Sequence, residues 1–273
     1  MIENQKRVII GSEGNVARAL QKMYPDASVI PRQQYLSWRN TSDVKNAINC
    51  KNIDVFVAIG VLSKNADKEN LDLINYKIPT LIADAISDNC SRIITFGTIM
   101  ERYVNVFTTN RYVESKHRLN LYLQNNISSE TYSHFLIHTL YGGNNANSDM
   151  FLGQLFNSVR LHSKFPMSNG LQVREYHHID DDLSAINYCL KNNLGGVQEI
   201  SHGESIRLRE VALSVLTHFN LTNILSIGEL ESPESEIYEP IGIKNSYLEN
   251  MYFRPSIAGI ISYFDEQLGQ SML

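Results

Sequence analysis

The sequence predicts an α/β fold, a doubly wound parallel sheet with helices on both faces and a smaller C-terminal lobe. Three observations lead there. Short apolar runs rich in β-branched residues recur at 7–10, 28–30, 54–60, 92–96 and 133–137. Stretches with helical periodicity separate them. The first run passes through a glycine turn directly into a helix. Such alternation requires crossover connections, so the strands run parallel and are buried on both faces.

Length and composition are consistent with this. A chain of 273 residues, 43% apolar, can bury one large core or two small ones. The net charge is −5, and no lysine- or arginine-rich run stands out, which argues against a nucleic-acid surface. No apolar stretch reaches the roughly 18–20 residues that span a membrane. The first seven residues lack the apolar segment of a signal peptide and lead straight into a strand. Cys50, Cys90 and Cys189 are far apart and odd in number, so they read as reduced thiols in a cytoplasmic protein.

The strand at 7–10 ends at Gly11, and a helical pattern follows through Leu20 and Met23. Strand, glycine turn and helix are the context in which a dinucleotide pyrophosphate is held at a helix N-terminus. Gly11 would permit the tight turn, and Gly14 would let the backbone approach the phosphates. Asn15 and Val16 open the helix, and Ala17 is small enough for close packing of helix on strand. The strand at 28–30 ends at Pro31-Arg32 with no acidic residue. An acidic side chain there pairs with ribose hydroxyls, whereas an arginine accommodates a 2′-phosphate, so Arg32 favours NADP over NAD.

Thr41 or Ser42 could cap a helix over 43–48. The strand at 54–60 ends in Ala58 and Gly60, small residues against which a cofactor could lie. A long helix follows, interrupted or restarted near Pro79 and continuing to Ile86. The strand at 92–96 leads to Gly97-Thr98, and a helix is expected over 111–123. That helix carries Tyr112 and Lys116, four residues apart and therefore one turn apart on one face. An ammonium so placed can stabilise a phenolate and lower the tyrosine pKa toward working pH.

Beyond residue 140 the rhythm changes. The sequence predicts a loop at 141–147, a helix over 150–162, a polar turn at 167–170 and a strand over 171–179. A helix begins at Asp180-Asp181-Asp182, acidic residues that complement its positive N-terminal end. A strand at 197–201, a helix over 207–219 and a final helix over 257–267 complete the chain. We expect residues 1–165 to form a dinucleotide-binding domain and residues 166–273 a substrate lobe, with interleaved elements. His177 and His178 are adjacent on a strand and point to opposite faces, so they cannot readily share a metal, and no metal site is expected. The stripe Phe151, Leu152, Leu155, Phe156, Val159 reads as core or dimer contact.

In this order, the segments make the chain resemble an extended short-chain dehydrogenase/reductase, the group of nucleotide-sugar epimerases, dehydratases and ketoreductases with a Rossmann-type sheet. The resemblance covers most of the chain. The turn from Gly11 to Ala17 is similar to the group's glycine fingerprint. Phe96-Gly97-Thr98 stands where the group has its catalytic serine or threonine, and Tyr112 and Lys116 match its Tyr-x-x-x-Lys. Leu140-Tyr141-Gly142, the segment from Arg174 to Asp181 and the segment from Gly203 to Glu210 resemble three further motifs. Two departures stand out. The approach from Thr98 to Tyr112 is shorter than in many relatives, which implies a pocket that is more open or differently roofed. Ile99-Met100-Glu101 replaces the Asp-Glu pair of the 4,6-dehydratases, which argues against water elimination.

The resemblance implies roles for these residues. Tyr112 would exchange a proton with the substrate oxygen. Lys116 would hold the nicotinamide ribose and lower the Tyr112 pKa, and Thr98 would hydrogen-bond the same oxygen. Tyr141, Arg174 and Arg254 would contact the substrate, the arginines taking a diphosphate. The implied activity is NADPH-dependent reduction of a nucleotide-linked 4-keto-6-deoxy sugar in deoxysugar, lipopolysaccharide or polysaccharide biosynthesis. Two alternatives stand beside it, an NAD-dependent sugar epimerase and a non-catalytic NADP-binding redox sensor. A cytoplasmic homodimer is expected.

Overall fold

A computed structural model of the chain describes residues 6–48, 52–62, 67–87, 92–143, 148–242 and 245–270. Cys50, Cys90 and positions 144–147 of the expected loop lie outside the described residues. The chain separates into two compact units, Met1–Ile137 with Leu183–Ile200, and His138–Asp182 with Ser201–Leu273. The expected boundary at 165 falls inside the second unit.

The first unit is built on six strands: β1 (Lys6–Ile10), β2 (Ser28–Ile30), β3 (Ile53–Val57), β4 (Arg92–Thr98), β5 (Tyr132–Ile137) and β9 (Gly196–Glu199). Their order is β2-β1-β3-β4-β5-β9 and every pairing is parallel. Ile9, Ile10, Val55, Phe56, Ile93, Ile94 and Phe135 are fully buried, as β-branched and aromatic residues on a doubly covered sheet should be. From β1 the chain steps outward to β2 and then returns past β1 to β3. That reversal opens a crevice at the C-terminal ends of β1 and β3, where ligands of such sheets bind.

The connecting helices include α1 (Asn15–Met23), α2 (Arg32–Ser37), α3 (Thr41–Ala47), α4 (Lys68–Asp72), α5 (Ile78–Ile86) and α6 (Arg111–Asn126). The break expected at Pro79 is instead a π-helical turn over Leu73–Lys77 that joins α4 to α5 without a gap. Pro79 donates no hydrogen bond and its ring crowds the carbonyl of Asn75. A wider turn at that point relieves both problems. The short α2, headed by Arg32, was not expected from the sequence. Neither was the capping box of α3, in which Asn40 and Asp43 satisfy each other's backbone amides.

The second unit holds β6 (Thr139–Tyr141), β8 (Val173–His178) and β10 (Ser205–Arg207) in one small sheet, and β7 (Phe165–Met167) and β11 (Leu225–Ile227) in another. The helices α7 (Phe151–Leu161), α9 (Leu208–His218) and α10 (Ser256–Gln270) enclose a core that includes Tyr176, Val215, Ile260 and Phe264. The stripe on α7 is core: Leu152, Leu155, Phe156 and Val159 are all buried. The helix α8 (Ile179–Lys191) starts in this unit with its three aspartates and continues into the first. Among the described residues, no helix is long and apolar enough to cross a membrane.

Candidate active site

The turn after β1 is shaped by its glycines. Gly11 has φ +106°, and a Cβ there would lie 2.6 Å from the Ala58 carbonyl oxygen, so β1 and the end of β3 approach as only glycine allows. Gly14 faces open space: a Cβ would meet nothing closer than the Ala58 oxygen at 4.0 Å. It is the N-cap of α1 and offers no side chain to the helix's first amides, which remain available to an anion. These features fit a dinucleotide pyrophosphate.

A cavity of about 260 Å³ lies beside this turn. Gly14, Asn15, Val16, Ala58, Gly60, Tyr112 and Lys116 all line it, together with Phe96 and Gly97. The fold therefore brings the glycine turn, the end of β3 and the tyrosine–lysine pair to one place. Gly11 does not line the cavity and lies instead against the Ala58 carbonyl. Thr98 ends β4 as a buried residue but does not line this cavity. Arg32 stands exposed at the start of α2, near enough to Tyr35 for its charge to oppose the upward push of burial on the phenol.

Tyr112 and Lys116 are held from several sides. The Asn110 side chain caps α6 by accepting from the Tyr112 and Val113 amides at 3.1 and 3.3 Å. Ser115 Oγ donates to the Tyr112 carbonyl at 2.8 Å and accepts from Asn75 Nδ2 at 3.1 Å. Asn75 lies in the π turn and also clamps Val61, accepting from its amide and donating to its carbonyl. Lys116 is buried, and its Nζ donates to the Phe96 carbonyl at 2.9 Å.

The electrostatics depart from expectation at Tyr112. Its pKa is not lowered but pushed up to about 12, first by burial and then by the Glu101 carboxylate. Burial pushes Lys116 down to about 8, and Glu101 pulls it partly back up. A buried ammonium is the costlier form, so in this setting the lysine yields before the tyrosine does.

Glu101 was not among the expected site residues. It lies in the 3₁₀ turn Ile99–Tyr103 that follows β4, in a capping box with Thr98. Glu101 Oε1 accepts from the Thr98 amide at 2.8 Å, and Oε2 accepts from Asn120 Nδ2 at 3.0 Å and pairs with His134 Nε2 at 3.2 Å. His134 Nδ1 pairs with Thr95 Oγ1 at 2.7 Å. The Thr-x-x-Glu spacing announces the cap, but nothing local in the sequence announces the histidine.

Tyr141, Arg174 and Arg254 belong to the second unit. Tyr141 is buried there, between His178 and Tyr263 rings, and a Cβ on Gly259 would overlap its hydroxyl. Arg174 pairs with Glu236 at 2.6 Å, and Arg254 pairs with Asp181. The unit also holds a buried charge cluster. His177 donates from one nitrogen toward Asp182 at 2.5 Å and from the other toward Glu175 at 2.8 Å. Glu175, His177 and His202 have the spacing to hold a metal ion. Yet both His177 nitrogens are engaged by carboxylates, and His202 Nδ1 accepts from the Glu204 amide at 3.1 Å. Ligand lone pairs are thus committed to hydrogen bonds, which does not suit a metal.

No family model matches the chain, and no curated protein matches it in sequence. Solved structures match it in fold. The dTDP-4-dehydrorhamnose reductase of Bacillus anthracis, in complex with NADP, superposes with a TM-score of 0.74 at 16% identity, covering 97% of this chain and 100% of its own. A UDP-N-acetylglucosamine 4-epimerase from Methanobrevibacter ruminantium reaches 0.77 at 12% identity, covering 98% of each chain. TunA, an NAD-dependent NDP-hexosamine 5,6-dehydratase of tunicamycin biosynthesis, reaches 0.76 at 13%, again over 98% of each. The chain shares the Rossmann-type fold of these nucleotide-sugar reductases, epimerases and dehydratases.

Proposed function

We propose that the chain is an extended short-chain dehydrogenase/reductase that uses NADPH to reduce a nucleotide-linked 4-keto-6-deoxy sugar. The observation that carries this reading is the single cavity lined by Gly14, Ala58, Gly60, Tyr112 and Lys116. Gly11, Gly14, Asn15, Val16, Ala58 and Gly60 would hold the dinucleotide, with Lys116 at its ribose and Arg32 at a 2′-phosphate. When bound, that cofactor supplies the hydride. Tyr112, protonated across the neutral range with its pKa near 12, donates the proton that completes the alcohol. Thr98 would hydrogen-bond the same oxygen.

For the substrate diphosphate, Arg254 is the better placed arginine. Both arginines are paired with a carboxylate, Arg254 with Asp181 and Arg174 with Glu236, but the Arg254 side chain is 39% exposed against 14% for Arg174. Tyr141 would act by packing near this arginine. Its ring is buried, and its hydroxyl has no partner among the described residues. A homodimer in the cytoplasm belongs to the same reading, and light scattering on the purified protein checks the dimer.

The test is incubation of purified protein with NADPH or NADH and a panel of nucleotide-linked 4-keto sugars. NADPH oxidation that exceeds NADH oxidation is expected. Tyr112→Phe should bind the cofactor as wild type does and lose turnover by roughly 10²–10⁴-fold. Interconversion of sugar epimers with no net cofactor oxidation would replace the reductase by an epimerase. Cofactor-dependent partner binding without turnover would leave a sensor.

A further inference from the structure

We propose that Glu101 is a positioning residue of the tyrosine–lysine site: its buried carboxylate, fixed by His134, Asn120 and the Thr98 amide, is the negative charge against which Lys116 is held as a cation. For turnover, this rests on the reductase reading. For the charge pairing itself it rests on geometry alone.

Tyr112, Lys116 and Asn120 stand at successive four-residue steps and so form one stripe on α6. That stripe meets the end of β4 at consecutive residues. Lys116 Nζ donates to the Phe96 carbonyl, while a Cβ on Gly97 would collide with both Glu101 Oε1 and His134 Nε2. A single peptide of β4 therefore separates the ammonium from the carboxylate. Gly97 is a glycine because the carboxylate and imidazole occupy the space its side chain would need. Asn120 closes the stripe by donating to Glu101 at 3.0 Å.

The side chains of Glu101 and His134 are 1% and 0% exposed. A carboxylate so buried is costly unless its oxygens are bonded, and here three donors meet them. They hold Glu101 below the usual carboxylate range although burial opposes this. The titratable groups around it are His134 on β5, Tyr112 and Lys116 on α6, and Arg102 on its own turn, which pairs instead with Glu199 at 2.8 Å. Lys116 is the cation that carries no carboxylate partner of its own in that set. Loss of the Glu101 charge leaves it opposed by burial alone, and neutral lysine can neither hold a ribose hydroxyl as a cation nor support proton return to Tyr112.

Glu101→Gln separates this role from capping, because glutamine caps the Thr98 amide as well as glutamate does. The readout is the ¹³Cε resonance of Lys116 in the cofactor-free protein, assigned by its loss in Lys116→Met and followed against pH. We expect the Lys116 midpoint, about 8 in the wild type, to fall in Glu101→Gln and to return toward that value in Glu101→Asp. The alkaline limb of kcat/KM should move down in pH with it. If Glu101→Gln does not fold, His134→Gln, which weakens the hold on the ionised carboxylate, should lower the midpoint in the same direction. An unchanged midpoint in the folded variant overturns the proposal and leaves Glu101 as a helix cap. A shifted midpoint in a protein that turns over no 4-keto sugar overturns the reductase reading instead and keeps the charge pairing.

Discussion

Glu101 in the first unit and Glu175 in the second are both buried carboxylates bonded to a histidine, and each sits under a glycine with no room for a side chain. They differ in what surrounds them. Glu101 meets three donors behind Gly97, which lines the cavity together with a lysine and a tyrosine whose pKa values both depart from the ordinary and both respond to the Glu101 charge. Glu175 is saturated within the second unit. It accepts from His177 at 2.8 Å, Ser201 Oγ at 3.1 Å, the His202 amide at 2.6 Å and the Gly203 amide at 3.0 Å. His177, clamped on its far side by Asp182, is raised to about 9. Burial opposes the shift, and the two carboxylates outweigh it. The cavity-lining lysine beside it is what distinguishes the first cluster and carries the proposal made for it. Saturation makes the second a tie between β8, α8 and the turn at 201–203.

Breaking each histidine should expose the difference most strongly. In the second cluster, His177→Leu leaves Glu175 and Asp182 buried without their cation. Removing one partner of a buried ion pair costs about 3–5 kcal/mol, so thermal unfolding should show a large loss. In the first cluster, His134→Leu leaves Glu101 with Asn120 and the Thr98 amide, and the loss should be nearer 1–3 kcal/mol. Equal losses from the two variants would mean that both clusters are structural ties.

Much of this architecture was legible in the letters. The sheet followed from β-branched runs spaced by helical stretches, and the glycine turn and the Tyr112–Lys116 helix lie where pattern and chemistry put them. What was not legible is tertiary. Glu101 stands one position beyond where a dehydratase would carry its acid pair and reads as out of register. Its meaning comes from His134, 33 residues further on, and from Asn120 on a different element. The π turn at 73–77 is hidden because a proline in a helical pattern reads as a break, and only the packed structure shows the wider turn that absorbs it. The lowering expected for Tyr112 failed for a similar reason. Spacing displays the lysine, but it shows neither the burial nor the third charge.

The roofing glycines give a second, smaller contrast. At Gly97 the obstacle is steric alone, so Gly97→Ala should cost roughly 1–3 kcal/mol as overpacking and should also disturb the Lys116 titration, since it displaces the Glu101 carboxylate. Gly242 has φ +93°, and a Cβ there would meet Glu175 Oε2 and Ser201 Oγ. Gly242→Ala adds backbone strain to the collision and should destabilise more, yet leave the Lys116 midpoint in place. A Lys116 midpoint that moves equally in both variants would erase the distinction.

The mildest contrast is in pH, and there the two clusters pull in opposite directions. His177 titrates at about 9 in the folded chain against an ordinary 6.5, so the native state holds the extra proton between these values. Its contribution to stability is full below 6.5 and is lost as pH rises through 9. Lys116 has the reverse arrangement, about 8 folded against an ordinary 10.5, so the unfolded chain binds more protons between them and stability rises with pH across that window. The windows overlap between pH 8 and 9. Each group changes stability there by at most about 1.4 kcal/mol per pH unit, the limit for one proton. Urea unfolding at steps across this range, on wild type and two variants, separates them. His177→Leu removes the falling contribution, so its stability should decline less with pH than that of the wild type. Lys116→Met removes the rising contribution, so its stability should decline more. Parallel curves for all three proteins would mean that neither histidine nor lysine titrates where its surroundings direct it.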